Sequence, residues 1–589
     1  MNQIIKQRPI ISDHLSFDDK LHPVLKRVFQ RRPLQHSNDL DCGLKQLLSF
    51  HALKGMDQAV ALLHHAMQTE QRIVVVGDFD ADGATSTAVA IKGLRMLGAR
   101  RVSFHVPNRF KYGYGLTPGI VEEVHQLGAD LIITVDNGIA SFDGIATAKT
   151  LGMQVLVTDH HLAADQLPAA DAIVNPNQPG DLFESKNLAG VGVIFYVLLA
   201  LRAHLRSIGW FEQRTLAEPN LATLLDLVAL GTVADVVALD HNNRILVSQG
   251  LQRIRQGMAC PGIQALIEVS KRPLTKLVAN DLGFGLGPRL NAAGRLEDMS
   301  IGINCLLADN LGQARQLAVQ LDNLNQERKV IEQEMKSQAL DDLRRLNLGS
   351  VDRLPLGVCI YQPEWHQGVI GILASRIKDH LHRPVIALAE EDEQHLKGSA
   401  RSVAGVHIRD VLDAISKRHP HLLNKFGGHA MAAGLSLAKA HLPAFQQAFA
   451  DEVAHYLSRE QLQGVVYSDG ELQPDEFNLE TAISLRQSGP WGQAFPEPVF
   501  DGHFEVLQVR VMSDKHLKLT LRHPRLPQPV EAVGFNQLEP GESPAVQNGD
   551  RVHLAYKLDI NEFRGDTRLQ LMMECLLPQN VGVAPETLE

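Results

Sequence analysis

The chain has 589 residues, 44% of them apolar and 21% charged, so it is too long for one hydrophobic core and has the composition of a soluble globular protein of three or four domains. Its net charge of −10 counts against a plain basic nucleic-acid binder, although a basic groove can coexist with an acidic exterior. No run of about 18 apolar residues occurs, so no membrane span is expected, and Met1 to Pro9 lacks the features of a signal peptide. Cys42, Cys260, Cys305, Cys359 and Cys575 are scattered without a C-x-x-C, which argues for reduced thiols in a cytoplasmic protein and against a zinc site or disulfide frame.

Residues 1–45 mix proline, histidine and basic residues without periodicity and are expected to pack on the first domain as an N-terminal extension. Leu44 to Gln68 is helical in pattern. Arg72 to Gly77 is a β-branched run of the kind buried on both faces, and it delivers Asp78, Asp80 and Asp82 at alternate positions before a helix opening on Ala84. Arg101 to Pro107 is a second strand, followed by a Gly/Tyr/basic loop from Asn108 to Gly115. Thr117 caps a helix with Pro118 at its first position. Ala129 to Val135 is a third strand ending on Asp136-Asn137-Gly138, and Gln154 to Thr158 a fourth ending on Asp159-His160-His161. Ala172 to Pro176 offers a fifth. The alternation predicts a parallel sheet covered by helices.

In such a sheet the carboxyl ends of the strands lie on one edge, where ligands bind. Three strand ends carrying Asp or Asp-His-His therefore bring acids and imidazoles together. The loop after Gly77 has no G-x-x-x-x-G-K-[ST] and no G-x-G-x-x-G, so its charge suits hard divalent cations rather than phosphate. Asp235, within Ala229 to Val237, is a lone carboxylate among small and apolar residues. It is either a helix cap or a further ligand.

Leu282 to Leu296 is glycine-rich and carries Arg289, Asn291 and Arg295, which reads either as a phosphate contact or as a hinge. Ile303 to Leu346 contains no proline and reads as one or two long helices. A second α/β region begins near Leu356. Its Gly427-Gly428-His429 precedes small residues, which predicts a helix whose N-terminus could hold phosphate. After Pro490 to Pro498, strand candidates begin near Gly502, Leu517, Val530, Val552 and Leu569, suiting an OB-fold barrel or a plain β-barrel spacer. Phe504, Arg510, Lys515, His516 and Lys518 supply the stacking surface and positive charge that single strands prefer.

Asp78-x-Asp80-x-Asp82-Gly83, Asp136-Asn137-Gly138, Asp159-His160-His161 and Gly231-Thr232-Val233-Ala234-Asp235 resemble, in order and spacing, the four motifs of the DHH phosphoesterase superfamily. Leu282 to Leu296 and the Pro490 to Pro498 segment resemble its bacterial single-strand exonuclease branch, and Gly427-Gly428-His429 resembles the DHH-associated substrate-binding domain. The resemblance implies an α/β fold: an N-terminal extension (1–45), a parallel-sheet DHH catalytic domain (46–300), bridging helices (301–350), a DHH-associated substrate-binding α/β domain (351–460), a C-terminal OB-fold β-barrel (465–577) and a tail (578–589). It implies that Asp80, Asp82, Asp136, His160 and Asp235 ligate two Mn2+ or Mg2+ ions about 3.5–4 Å apart, with Asp136 bridging. Asp78 and His161 would be extra ligands or groups orienting water and substrate. Arg289, Asn291, Arg401, Gly427, Gly428 and His429 would meet the substrate.

The implied activity is 5′-to-3′ hydrolysis of single-stranded DNA to mononucleotides in recombination and repair, in the cytoplasm, with a single-strand-binding protein and a recombination helicase as partners and no membrane. The residues themselves do not fix polarity or DNA over RNA. The alternatives are a phosphodiesterase for short oligonucleotides or other small phosphate substrates, and a non-catalytic single-strand-binding scaffold that has lost its ligands.

Overall fold

A computed structural model describes residues 3–107, 112, 114–345, 354–458, 462–538, 542–563 and 566–579. Most of the basic loop after Pro107 and the tail beyond Gln579 lie outside the described residues. The chain divides into two compact units, Ile5–Asn323 with Tyr467–Glu589, and Leu324–Val466 with Met1–Ile4.

In the larger unit, α1 (Pro23–Phe29) and α2 (Met56–Gln68) precede the first sheet. The helix expected from Leu44 begins only at Met56; short 3-10 turns precede it, and Gly55, at φ +81°, swings the chain into it. The sheet contains β1 (Ile73–Gly77), β2 (Val102–His105), β3 (Leu131–Val135), β4 (Gln154–Thr158) and β5 (Ala172–Val174). All neighbours are parallel, in the order β2-β1-β3-β4-β5. Every position of β1 and β3 is buried, which is why they read as unbroken apolar runs. The helices α3 (Ala81–Met96), α4 (Pro118–Gln126), α5 (Phe142–Thr150) and α6 (Gly190–Ser207) cover the strands. Val74, Val76, Ile132, Val155 and Val157 pack one face against Ile120, Val121 and Val124 of α4 and Ile145 of α5. From β1 the chain goes to β2 on one side and then to β3 on the other, which leaves a topological switch point at the carboxyl edge between β1 and β3.

Helix α6 is long and apolar enough to cross a membrane, but 67% of it is buried inside the protein, where it packs on α3. Helices α7 (Leu225–Ala234) and α8 (His241–Arg255) follow. The 282–296 segment is neither loop nor hinge: a wide π-type turn, Leu282–Leu286, runs straight into α9 (Gly287–Leu296). The long polar run then forms a helix at Ser300–Leu307 and the 35-residue α10 (Leu311–Arg345).

Residues 1–45 do not pack simply on the first domain. Phe29 stacks 5.8 Å from Trp491 and 6.3 Å from Phe495, in the segment ahead of the barrel. Arg32, fully buried, donates to both carboxylate oxygens of Asp469 at 2.7 and 2.9 Å and to the Pro496 carbonyl at 2.9 Å. Arg244 of α8 also donates to the Asp39 carbonyl at 2.8 Å.

The smaller unit holds a mixed sheet of β6 (Val358–Tyr361), β7 (Val385–Glu390), β8 (His395–Arg401), β9 (Lys425–Gly428) and β10 (Ala432–Ala438), in the order β9-β10-β8-β7-β6. Helices α11 (Ile370–Leu381), α12 (Ile408–Arg418) and α13 (Leu442–Val453) accompany it. Its core joins Ile386, Leu388 and Leu396 to Val411, Leu412, Phe445 and Phe449. The helix expected after Gly427-Gly428-His429 is instead the tight β9–β10 hairpin, pairing Gly427 with Gly434 and Gly428 with Ala433. Small residues are compatible with either state, and pairing with β8 decides for the strand.

Back in the larger unit, α14 (Leu479–Gln487) leads to a closed barrel of β11 (Phe500–Met512), β12 (His516–Arg522), β13 (Val530–Gly534), β14 (Arg551–Phe563) and β15 (Asp566–Gln579). This is the five-stranded OB arrangement expected. All five cysteines are free, and burial pushes the Cys305 thiol up to about 12 and the Cys575 thiol up to about 11.

Candidate metal centre

The carboxyl edge at the switch point gathers side chains from four places in the chain. Asp80 caps α3, its Oδ1 accepting from the Asp82 and Gly83 amides at 2.9 and 3.0 Å, which folds the acidic loop tightly against β1. Asp136, just beyond β3, sits at φ +61°. Its neighbour Asn137 spans the split between strands, donating to Val76 O at 3.1 Å and Val135 O at 2.9 Å. Asp159, His160 and His161 end β4, and Asn175 and Asn177 brace the triplet by donating to the carbonyls of His161 and His160. Asp235 ends α7, and Val236 after it is 64% exposed at φ +62°, a left-handed conformation that is costly for a β-branched residue.

Two close approaches make the pocket possible. At Gly294 of α9, an added Cβ would lie 1.8 Å from the Phe79 carbonyl. At Gly190 of α6, one would lie 2.6 Å from the Asp136 Cβ. Asn291 braces the same loop, its Oδ1 accepting from the Ala81 amide at 2.8 Å.

Three sets of side chains bring one ligand atom each within 4.8 Å of one another: Asp136, His160 and His161; Asp82, His160 and Asp235; and Asp78, Asp80 and Asp136. His160 Nε2 lies 3.1 Å from Asp136 Oδ1 and 3.4 Å from Asp235 Oδ2. Asp82 accepts from the amides of Gly190 at 2.6 Å and Val191 at 3.0 Å, at the start of α6. Among the described residues no lysine or arginine pairs with Asp80, Asp82, Asp136 or Asp235. Burial, and then repulsion from the other acids, holds the protons of Asp82, Asp136 and Asp235 well above the carboxylate range, Asp82 at about 7. Oxygen-rich donors with one or two imidazoles and an unmet demand for positive charge fit hard divalent cations.

Asp159 behaves differently. Burial alone would raise it, but the His161 hydrogen bond at 2.7 Å, the imidazole charges and the Ile139 amide bring it below its ordinary value. Burial lowers His161, but the bond to Asp159 and the surrounding acids prevail and raise it to about 9. The sequence motif contains Asp159, yet nothing in it shows that this residue orients His161. Tyr114 also reaches the centre, from an aperiodic loop that carried no signal for it.

The other expected contacts separate. Arg289 is tied to Asp322 at 2.7 Å and to the Gly285 carbonyl, so it braces α9. Within the smaller unit, Arg401 is mostly buried, and its Nη1 donates to Ser399 Oγ at 2.9 Å and Ala400 O at 2.8 Å. No carboxylate pairs with it among the described residues, and burial lowers its proton affinity. His429 is exposed at the hairpin tip; Gly427 faces open space, and Gly428 has φ +143°.

On the barrel, Arg510 and Lys515 are exposed, and Lys518 pairs with Glu531 at 2.8 Å. Phe504 is not a stacking surface. It is 2% exposed, its ring packed 5.3 Å from His523 and 5.9 Å from Tyr556, because it shares the inward face of β11 with Phe500 and Val506.

Comparison with known proteins gives three family matches: the DHH family N-terminal domain over residues 72–232, the DHHA1 domain over 355–455 and the RecJ OB domain over 468–575. The chain is 53% identical to the single-stranded-DNA-specific exonuclease RecJ of Dickeya dadantii, covering 98% of this chain and 99% of that one. It is 52% identical to RecJ of Escherichia coli over the same shares. A crystal structure of RecJ in complex with Mn2+ from Thermus thermophilus superposes with TM-score 0.77 at 29% identity, over 97% of this chain and 77% of that one. A manganese-bound exonuclease RecJ is 34% identical with TM-score 0.56, over 70% of this chain and 97% of that one.

Proposed function

The chain belongs to the RecJ family of single-stranded-DNA-specific exonucleases, and from that premise we propose that it degrades single-stranded DNA from the 5′ end to mononucleotides, using two Mn2+ or Mg2+ ions. It is a metal-dependent phosphodiesterase. The observation that carries the reading is that Asp82 and Asp136, buried at the sheet edge beside Asp80 and Asp235, meet with them no lysine or arginine among the described residues.

Asp80, Asp82, Asp136, His160 and Asp235 are the proposed ligands. Asp136 belongs to two of the three clusters, which supports giving it the shared position; Asp78, grouped with Asp80 and Asp136, joins it as a ligand. When bound, the ion pair supplies Lewis-acid activation of water and neutralises charge on the scissile phosphate. Asp159 holds His161 through Nδ1, which places the imidazole to hold or move a proton at Nε2. Asn291 and Gly294 keep the acidic loop in its tight turn. Arg401 is proposed as a phosphate contact because its half-buried guanidinium meets no carboxylate among the described residues, which an anion would relieve. Gly427, Gly428 and His429 would present the hairpin edge to substrate.

The barrel favours a long strand over a small phosphate compound, which needs no such module. The role expected of such an enzyme is DNA recombination and repair in the cytoplasm, alongside a single-strand-binding protein and a recombination helicase. Single strands labelled at either end, digested with Mn2+, Mg2+ or EDTA, test the reading. The 5′ label should leave first, as a mononucleotide, and only with metal. Early loss of the 3′ label would reverse the polarity, and cleavage confined to dinucleotides would favour a small-substrate enzyme.

A further inference from the structure

Tyr114, at the end of the basic loop after β2, has no part in the reading above, yet it runs from solvent to the floor of the metal centre. Its hydroxyl lies 3.1 Å from the carbonyl oxygen of Asp136 and 3.1 Å from Nδ1 of His161. The residue is 49% exposed, and its ring stands edge-on to His161, with centroids 5.6 Å apart at 75°, and to Phe79, 6.2 Å apart at 80°.

The hydrogen bonds can be ordered by what each group can do. The Asp136 carbonyl only accepts, so the single phenolic proton goes to it. A phenolic lone pair then faces the same Nδ1–H that Asp159 Oδ1 takes at 2.7 Å. The hydroxyl also lies 3.5 Å from Nε2, so it sits at the ring edge between the two nitrogens while Asp159 holds Nδ1, and the two contacts together fix the orientation of the ring. The phenol also ties this orientation to the backbone of Asp136, the carboxylate residue shared by two of the ligand clusters. The exposed ring has a different use. An enzyme that removes every nucleotide in turn needs a contact indifferent to base identity, and the face of an aromatic ring supplies one.

We propose that Tyr114 has two separable roles: its hydroxyl is a positioning group for His161, and its ring is the surface on which the base of the departing nucleotide stacks. This rests on the exonuclease reading and adds to it the residue that contacts the terminal nucleotide.

The test is steady-state cleavage of a single strand by the full-length wild type, Tyr114→Phe and Tyr114→Leu in Mn2+, with thermal midpoint and Mn2+ stoichiometry measured for each. Tyr114→Phe keeps the ring and should lower kcat about tenfold at unchanged KM, the usual effect of one lost hydrogen bond to a charged group. Tyr114→Leu should show the same kcat loss and also raise KM about tenfold, the worth of one stacked base. Both should keep the wild-type midpoint and metal stoichiometry. A Phe variant with wild-type kcat overturns the positioning role, and a Leu variant with unchanged KM overturns the stacking role. Losses that track a lowered midpoint overturn both, because Tyr114 would then be only structural. A wild type that releases no mononucleotides refutes the exonuclease reading itself, which is a different failure.

Discussion

Two of the places where the larger unit buries carboxylates treat them in opposite ways. Asp469 meets both terminal guanidinium nitrogens of Arg32, and its Oδ2 also accepts the Val499 amide at 3.1 Å. Charge and hydrogen bonding are closed within the chain, and the pair staples the N-terminal segment to the stretch of chain ahead of the barrel. At the sheet edge, Asp82 and Asp136 are just as buried and Asp235 is partly so, yet imidazoles and amides are the main relief on offer. Burying charge without compensation costs stability. A fold that closes one account and leaves the other open marks the open one as the place where something from solution must bind.

Asp136→Ala sharpens that contrast most. Hydrolysis should fall at least about a thousandfold while single-strand binding, read by fluorescence anisotropy, persists, and the midpoint of the metal-free protein should not drop. Arg32→Ala should do the reverse. Breaking a buried pair on one side costs about 3–5 kcal/mol, so chemical denaturation should show a large loss of stability, with cleavage per folded molecule unchanged. If the two variants behaved alike, the distinction between the clusters would be lost.

The metal-free centre should also be pH-sensitive in a direction that can be worked out. Asp82 titrates at about 7 in the folded chain against 3.8 for an ordinary aspartate. Between those values the folded chain holds a proton that the unfolded chain has released, so stability falls as pH rises through this window. Bound metal replaces that proton, so the rise in thermal midpoint on adding Mn2+ should be larger near about pH 8 than near about pH 5. A larger rise at the acid end contradicts the account.

The smallest effects belong to the barrel. Arg510→Ala and Lys515→Ala should each weaken binding of a long strand by about two- to fivefold and flatten its salt dependence. Lys518→Ala, already paired with Glu531, should change less. Phe504→Leu should lower the midpoint and leave the salt dependence alone, because that ring packs inside.

Much of the centre could be read from the sequence because strands buried on both faces are unmistakable and polar residues at their ends stand out. Three such ends, with the parallel topology they imply, place Asp78 to Asp82, Asp136 and His160-His161 together without any distance information. What escaped was non-local or ambiguous. The Gly190 and Val191 amides reach Asp82 from more than a hundred residues away, a pairing only the folded helix reveals. The hairpin at Gly427 to Gly434 is built from residues too small to favour helix or strand. Asn291 and Arg289 looked like phosphate contacts but face inward, onto the Ala81 amide and Asp322. The inward placement of Phe504 is legible by alternation: Phe500, Gly502, Phe504 and Val506 share one face, and β11 turns that face into the barrel.

The central claim is that the open cluster at the sheet edge is a two-cation site. Anomalous diffraction at the manganese edge, from crystals grown with Mn2+, tests it most directly. The account predicts two peaks per chain, one on each side of the Asp136 carboxylate. A map with no peak among Asp78, Asp80, Asp82, Asp136, His160 and Asp235 would contradict it.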